Sequence, residues 1–353
     1  MTAPAVQKPG HQLLVATLAQ LAPGIALSAA VAVTAFATAP YVARALPVPA
    51  IVIALFIGVA LNAVAVQPVF RPGMAFCVKT LLRWAVALLG IRVGLAEIIA
   101  LGPATAGLVV VAMAVTIAAA FALARLNSQS YAYGALAGAA TAVCGASATL
   151  ATATVVPDYP GKDADIAFVI VAANSLATLA MVVYPPLCVL LGFDAQTTGV
   201  MLGATIHDVA QVVGAGYAVS TTVGNTAVIV KLFRVLLLLP TVLGIGWYLT
   251  RTGLKHGQPR VPVPVFAIAF IILCLVNSAM PFAPFANSLY PPTKAVLVEA
   301  SNWGLLIAIG ALGLGTSISA IAALGWRHVA TVIGTTLVIL AVMTSGLLLL
   351  QFV

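Results

Sequence analysis

Apolar residues run along this chain in long blocks separated by short polar stretches. A helix needs about 20 apolar residues to cross a bilayer. On that rule, spans fall near 22–42, 48–66, 76–96, 104–124, 131–154 and 166–191, then near 197–219, 226–249, 261–280, 294–318 and 329–352. The pattern predicts an all-α polytopic membrane protein with about eleven transmembrane helices. Two neighbouring blocks, 197–219 and 226–249, meet across a polar link from Ser220 to Thr226 and carry His207, Asp208, Gln211, Lys231 and Arg234. A charge at the centre of a membrane helix costs roughly 2.5–3.5 kcal/mol on the insertion scale. These side chains therefore face one another, the bundle interior or a water-filled cavity.

A faint internal repeat adds to this picture. LLGIRVGLAEIIALG at 88–102 aligns without gaps to ALGLGTSISAIAALG at 311–325, and Leu89, Gly90, Ile98, Ala100, Leu101 and Gly102 find identical partners. Coincidence in an Ala/Leu/Gly-rich chain is the bland explanation. The sharper one is an inverted repeat of the kind found in secondary transporters, because the copies lie seven spans apart and so run in opposite directions. On that reading the chain is one transmembrane transporter domain over 1–353. It has an extra N-terminal helix in 1–47, a first repeat over 48–191 and a second over 197–353.

Composition agrees: 63% of the 353 residues are hydrophobic and 6% are charged, against about 25% charged in soluble domains. The net charge of +8 then reflects cytoplasmic loops rather than nucleic-acid binding. With the N-terminus inside, nine Lys and Arg fall on the cytoplasmic side and three outside, which predicts an external C-terminus. Ala37-Thr38-Ala39 has the form of a signal-peptidase site. Lys8 and the N-terminal amine are the only strong cations before it and a second span follows at once, so the segment reads as a retained helix. Cys77, Cys144, Cys188 and Cys274 lie in or near apolar segments without metal or CxxC spacing, and read as small buried hydrophobes.

Three stretches are candidates for chemistry. Ala142-Val-Cys-Gly-Ala-Ser-Ala148 lacks large side chains, which serves close helix packing or a helix broken near Gly145, whose half-helix N-terminus would face an anion. In GATIHDVAQVVGAG, His207, Gln211 and Gly214 share a face of a continuous helix, with Asp208 beside it. Lys231 and Arg234, one turn apart, share another. An ion pair from Asp208 to one of these cations would lock two helices. Yet one aspartate against two cations leaves an excess positive charge that a bound oxyanion would offset, with His207 able to couple protons. Arg92 and Glu97 are further candidates, and Asn174 is a polar neighbour. There is no HExxH and no P-loop, which argues against a zinc protease and against direct use of ATP.

LLGIRVGL, AVCGASATLA, TIHDVAQVVGAG, VKLFRVLLLLP and ALGLGTSISA resemble the successive signatures of the YeiH-type sulfate exporter family, from roughly Ala50 to Trp326. One departure is Asp208, where that family more often carries Glu. The resemblance implies a bile-acid-symporter-like secondary transporter with inverted repeats and discontinuous, crossing helices. The expectation is a bacterial inner-membrane protein that exports a small inorganic or organosulfonate-derived anion, sulfate or sulfite first, and is not an enzyme. Lys231 and Arg234 would bind the anion, with Cys144, Gly145, Ser147 and Gln211. His207 and Asp208 would set the coupling, with Arg92, Glu97 and Asn174 in support. Breaks near Gly145 and Gly313–Gly315 would cross at the midplane. No cofactor or metal is expected beyond a coupling proton or sodium ion. The partners are the anion, the bilayer and, compatibly, a second copy in a homodimer; nucleic acid is not one. Arg234→Ala would stop transport and leave a folded protein. The transport alternative is a sodium- or proton-coupled carboxylate importer in which Asp208, Glu97, Asn174 and backbone carbonyls hold the cation. An intramembrane enzyme or a structural subunit is the remaining reading.

Overall fold

A computed structural model describes residues 10–42, 50–251, 265–280, 290–315 and 326–351, which are helical with no strand among them. In chain order the helices begin with α1 (Gly10–Val42), α2 (Ala50–Ala60), α3 (Asn62–Ala65), α4 (Arg71–Phe76) and, after a π turn at Cys77–Leu81, α5 (Leu82–Leu89). There follow α6 (Leu95–Ala100), α7 (Gly102–Leu126), α8 (Tyr131–Ala139, extended by a π turn at Ala140–Cys144), α9 (Ala146–Ala153) and α10 (Lys162–Leu190). Next come α11 (Ala195–Thr205), α12 (Val209–Val219), α13 (Thr221–Leu236) and α14 (Leu238–Arg251). The chain ends with α15 (Val265–Ala279), α16 (Tyr290–Gly315) and α17 (Trp326–Gln351). Among the described residues, seven helices are long and apolar enough to cross a membrane, and four shorter ones, at Ala50–Ala60, Tyr131–Cys144, Val209–Val219 and Val265–Ala279, are apolar.

The chain divides into two compact units. The first comprises Met1–Ala85 and Glu299–Ser317, where α1 packs on α2 and α4 around Val31, Ala54, Cys77 and Leu314. Glycines set its contacts. A Cβ on Gly24 would stand 2.7 Å from the Gly73 Cα, and one on Gly58 would stand 2.9 Å from the Gly313 Cα. α16 runs unbroken through Gly313 to Gly315, Gly313 is a small-residue contact with α2, and the expected break at Gly313–Gly315 falls at the edge of the described residues. Residues 316–325, most of the second copy of the sequence repeat beyond that point, lie outside the described residues.

The second unit, Val86–Val298 with Ile318–Val353, holds two helical hairpins. Gly199 lies against Thr226 and Gly203 against Val230, so α11 runs alongside α13 in the same direction. Gly216 lies against Gly224, with Tyr217 packed on Gly224, so α12 returns in the opposite direction along the same stretch of α13. The expected continuous span over 197–219 is thus a hairpin whose tip is Ile206-His207-Asp208. The first hairpin is built likewise from α8 and α9. Its beginning lies near Phe121, whose ring stands 6.4 Å from Tyr131 and 5.1 Å from Tyr248. Its end returns to the same level, where Val155 packs on Gly246.

The length of each limb fits this arrangement. At 1.5 Å per residue, Tyr131–Cys144 rises roughly 21 Å and Ala195–Thr205 roughly 16 Å, against a hydrocarbon core of about 30 Å. Each limb is roughly half to two-thirds as long as a full crossing requires, and the chain turns back at its end. The first hairpin enters from the end of the unit where α7 finishes and α10 begins; the second enters from the opposite end, where α10 finishes and α13 begins. Neither runs through the unit from end to end, which corrects the expected continuous spans over 131–154 and 197–219 and the expected crossing of the helix broken near Gly145.

Candidate functional site

The two turns have local causes. Gly145 adopts φ 59°, ψ −118°, a region essentially closed to residues with a Cβ, and this ends the π turn and starts α9. In the second hairpin Ile206 (φ −69°, ψ 134°) and Asp208 (φ −109°, ψ 152°) are extended, and the Asp208 Oδ1 accepts from the Val209 N–H at 2.6 Å, capping α12. His207 lies in this turn. The expectation that His207, Gln211 and Gly214 share a helical face is corrected accordingly. The polar link expected at Ser220–Thr226 contracts to Ser220, which ends α12 and caps α13 by accepting from the Val223 N–H at 3.2 Å.

The tips meet. A Cβ on Gly145 would lie 3.9 Å from the Asp208 Cβ, and Lys231 and Arg234 reach both tips from α13. The Lys231 ammonium donates to the carbonyls of Val143 at 2.6 Å, Ile206 at 2.9 Å and His207. The Arg234 guanidinium donates to Ala142 (2.9 Å), Thr141 (2.7 Å), Gly203 (3.1 Å) and Ile206 (3.3 Å). Both side chains are fully buried. Carbonyls in the last turn of a helix have no intrahelical partner, and in a membrane they find no water. The cations satisfy them and oppose the negative dipole ends of the inward-running limbs. Seven hydrogen bonds from the two cations go to these carbonyls.

The opposite side of the tips is open. Ala146, Ser147, Asp208 and Val209 are half-buried and form the N-terminal starts of α9 and α12, the ends at which a helix carries N–H groups without intrahelical partners and a positive dipole end. Gln211 is buried and donates through Nε2 to the Asn174 Oδ1 at 3.0 Å and to the Thr178 Oγ1 at 3.3 Å, while its Oε1 has no hydrogen-bond partner. Asn174 itself is exposed, and Cys144 is buried beside Gly145. The structure therefore gathers Cys144, Gly145, Ser147, His207, Asp208, Gln211, Lys231 and Arg234 around one point, with Asn174 adjoining through Gln211. Arg92 and Glu97 stand elsewhere. Arg92 lies in the interruption between α5 and α6 and Glu97 in the first turn of α6, where its Oε1 accepts from the Gly94 N–H at 3.4 Å, and both act electrostatically on Tyr217, toward the far end of α12.

Some supporting residues carried no role in the sequence. Thr336 on α17 bonds the His207 Nε2 at 2.8 Å, Thr335 bonds Thr141 at 2.9 Å, and Thr331 bonds Asn127 at 3.0 Å. Their helical spacing in an otherwise apolar segment was the available signal. Tyr159, which precedes the Ala164–Leu190 span, donates to the Asp165 Oδ2 at 2.9 Å, and the His328 Nε2, at the first residue of the last span, lies 3.4 Å from the Asp165 Oδ1. Burial and the Asp165 carboxylate push the Tyr159 phenol up, so it remains a donor.

Residues 23–332 match the family described as Conserved hypothetical protein 698. The chain is 40% identical to the UPF0324 membrane protein TauZ of Paracoccus pantotrophus over 93% of this chain and 95% of the relative. It is 38% identical to UPF0324 membrane protein TauZ of Paracoccus denitrificans over 92% and 94%. It is also 38% identical to UPF0324 membrane protein RA0957 of Rhizobium meliloti (strain 1021) over 92% and 91%. These descriptions name neither sulfate nor export. No solved structure matches the chain. Coverage of nearly the whole chain at this identity makes the protein a member of the UPF0324 membrane protein family, Conserved hypothetical protein 698.

Proposed function

We propose that the protein is a secondary transporter of a small oxyanion in the bacterial inner membrane, with sulfate and sulfite as the first candidates for export. The observation that carries this reading is the meeting of two opposed hairpin tips whose open side presents helix N-termini. Four helix ends meet there, about +0.5 or −0.5 each, and their dipoles cancel. Lys231 and Arg234 against Asp208 then leave a net positive charge, which an anion offsets. Backbone N–H groups at Ala146 and Ser147 and in the first turn of α12 beyond Val209 supply direct donors, with Gly145 shaping the turn and Cys144 and Gln211 alongside. Lys231 and Arg234 act on the anion through their charge and by holding the tips together. His207 and Asp208 provide proton coupling, Asn174 lines the approach, and Arg92 and Glu97 act at the far end of the second hairpin.

Hairpins entering from opposite ends of one unit fit an inverted-repeat transporter. In this reading the eleven apolar stretches comprise nine crossings and two hairpins. Two half-crossings preserve the alternation, so the N-terminus stays cytoplasmic and the C-terminus external. The protein needs no bound cofactor and catalyses no covalent chemistry; a homodimer is compatible with it.

A thermal-shift titration of the purified protein tests the reading with sulfate, sulfite, thiosulfate, phosphate, chloride and small dicarboxylates. A true ligand at a hundredfold excess over Kd stabilises by about 2.7 kcal/mol. The expected result is a selective oxyanion shift that Ser147→Leu, which fills the open side of the tips, removes without lowering the unliganded melting temperature. A shift with sodium plus a carboxylate, and none with oxyanions, would overturn it.

A further inference from the structure

The three oxygens around the Lys231 ammonium have a property that an ordinary buried lysine contact lacks. They are main-chain carbonyls from two separate hairpins, Val143 on the first and Ile206 and His207 on the second. Arg234 holds the same two tips from its own side through Thr141, Ala142, Gly203 and Ile206. No oxygen of this set belongs to α13, the element that carries the lysine. The cage is thus a product of the hairpin tips, and the lysine enters it from outside on a flexible four-carbon stem. The close approach of Gly199 and Gly203 to α13 brings that stem within reach.

Carbonyl oxygens that replace a hydration shell are the ligands by which proteins hold bare alkali cations. Three acceptors converge on Nζ, and an ammonium has three N–H donors, so each oxygen is matched by one hydrogen. We propose that this is a monovalent-cation site whose cation is built into the chain: Lys231 occupies, permanently and covalently, the place of a free sodium or primary ammonium ion. Two consequences follow. Removing the lysine side chain uncovers a site for a small monovalent cation, and the native protein has no use for a free cation at its tips. Joined to the transport reading, on which only this clause rests, coupling draws on protons rather than sodium.

The test reads stability, so its outcome is separate from whether the protein carries an anion. Wild type and Lys231→Ala are melted in chloride salts of propylammonium, methylammonium, sodium and tetramethylammonium at equal ionic strength. Tetramethylammonium has the charge but no N–H donor and is too bulky for the cage. The variant should melt well below wild type in tetramethylammonium and recover at least half of the loss in propylammonium, with a smaller recovery in sodium. Wild type should melt alike in all four. A variant indifferent to the cation, or a wild type stabilised by sodium as strongly as the variant, overturns the proposal. Should Lys231→Ala not fold, expression and extraction are repeated with propylammonium throughout. Folded protein obtained only with the amine supports the proposal, and failure with every cation rejects it.

Discussion

At the scale of single residues, the hairpin tips concentrate groups that substitute poorly. Gly145 has room for a methyl group, since the nearest atom to an added Cβ is 3.9 Å away, but its φ of 59° with ψ of −118° excludes one. Gly145→Ala should therefore lower stability by about 1–3 kcal/mol through backbone strain alone, seen as a reduced melting temperature; an unchanged value would mean that the turn relaxes. Thr336 is the bonded partner of a buried histidine nitrogen, while the other ring nitrogen of His207 has no partner. Thr336→Val should cost about 1–3 kcal/mol, and Thr336→Ser should restore most of it in the same melting experiment. Arg234 makes four hydrogen bonds to carbonyls. Its replacement by alanine removes the donor from the Thr141, Ala142 and Gly203 carbonyls and leaves Ile206 to Lys231, so loss of stability is now expected alongside any loss of transport.

At the scale of elements, each hairpin depends on what holds its limbs at the right depth. The second begins at Asp194, whose Oδ1 accepts from the Thr197 N–H at 2.7 Å. That bond holds the carboxyl below the usual carboxylate range. A group with a lowered folded pKa contributes stability that is present above its unfolded pKa and lost as pH falls through the folded one. Melting of wild type should therefore weaken on acidification through the carboxylate range, and Asp194→Asn, which keeps a capping oxygen, should lose that part of the pH dependence. The two hairpins differ in how they turn. A π turn and a left-handed glycine reverse the first, while the second uses an extended Ile206 and an aspartate cap.

For the whole molecule, hairpins and crossing helices make opposite statements about sidedness. Gln129 and Asp158 flank the first hairpin and lie on one face, and Asp194, at the start of the second, lies on the other. The four native cysteines are buried, so introduced ones can be read against them. Gln129→Cys and Asp158→Cys should both react with an impermeant maleimide from the cytoplasmic side, and Asp194→Cys from the outside only. Reaction of the first two from opposite sides would return the first hairpin to a crossing helix. A C-terminal alkaline phosphatase fusion should be active, which checks the external C-terminus.

Hydropathy by itself determined that the chain is a helical membrane protein, and the residues singled out by their polarity in apolar surroundings, His207, Asp208, Lys231 and Arg234, are brought together with Gly145 by the fold. Neither the hairpins nor the partners of the cations were legible. Residues 131–153 and 195–219 are each about as long and as apolar as one crossing helix, and hydropathy measures apolar length without direction. Only the turns at Gly145 and Ile206–Asp208, seen with the packing of α11 and α12 on α13, show the chain going back the way it came. The cations' partners are main-chain carbonyls, which every residue has, so no side-chain pattern could announce them. Tertiary structure decided both, because the lysine and arginine satisfy helix ends that come together only when two separate hairpins meet.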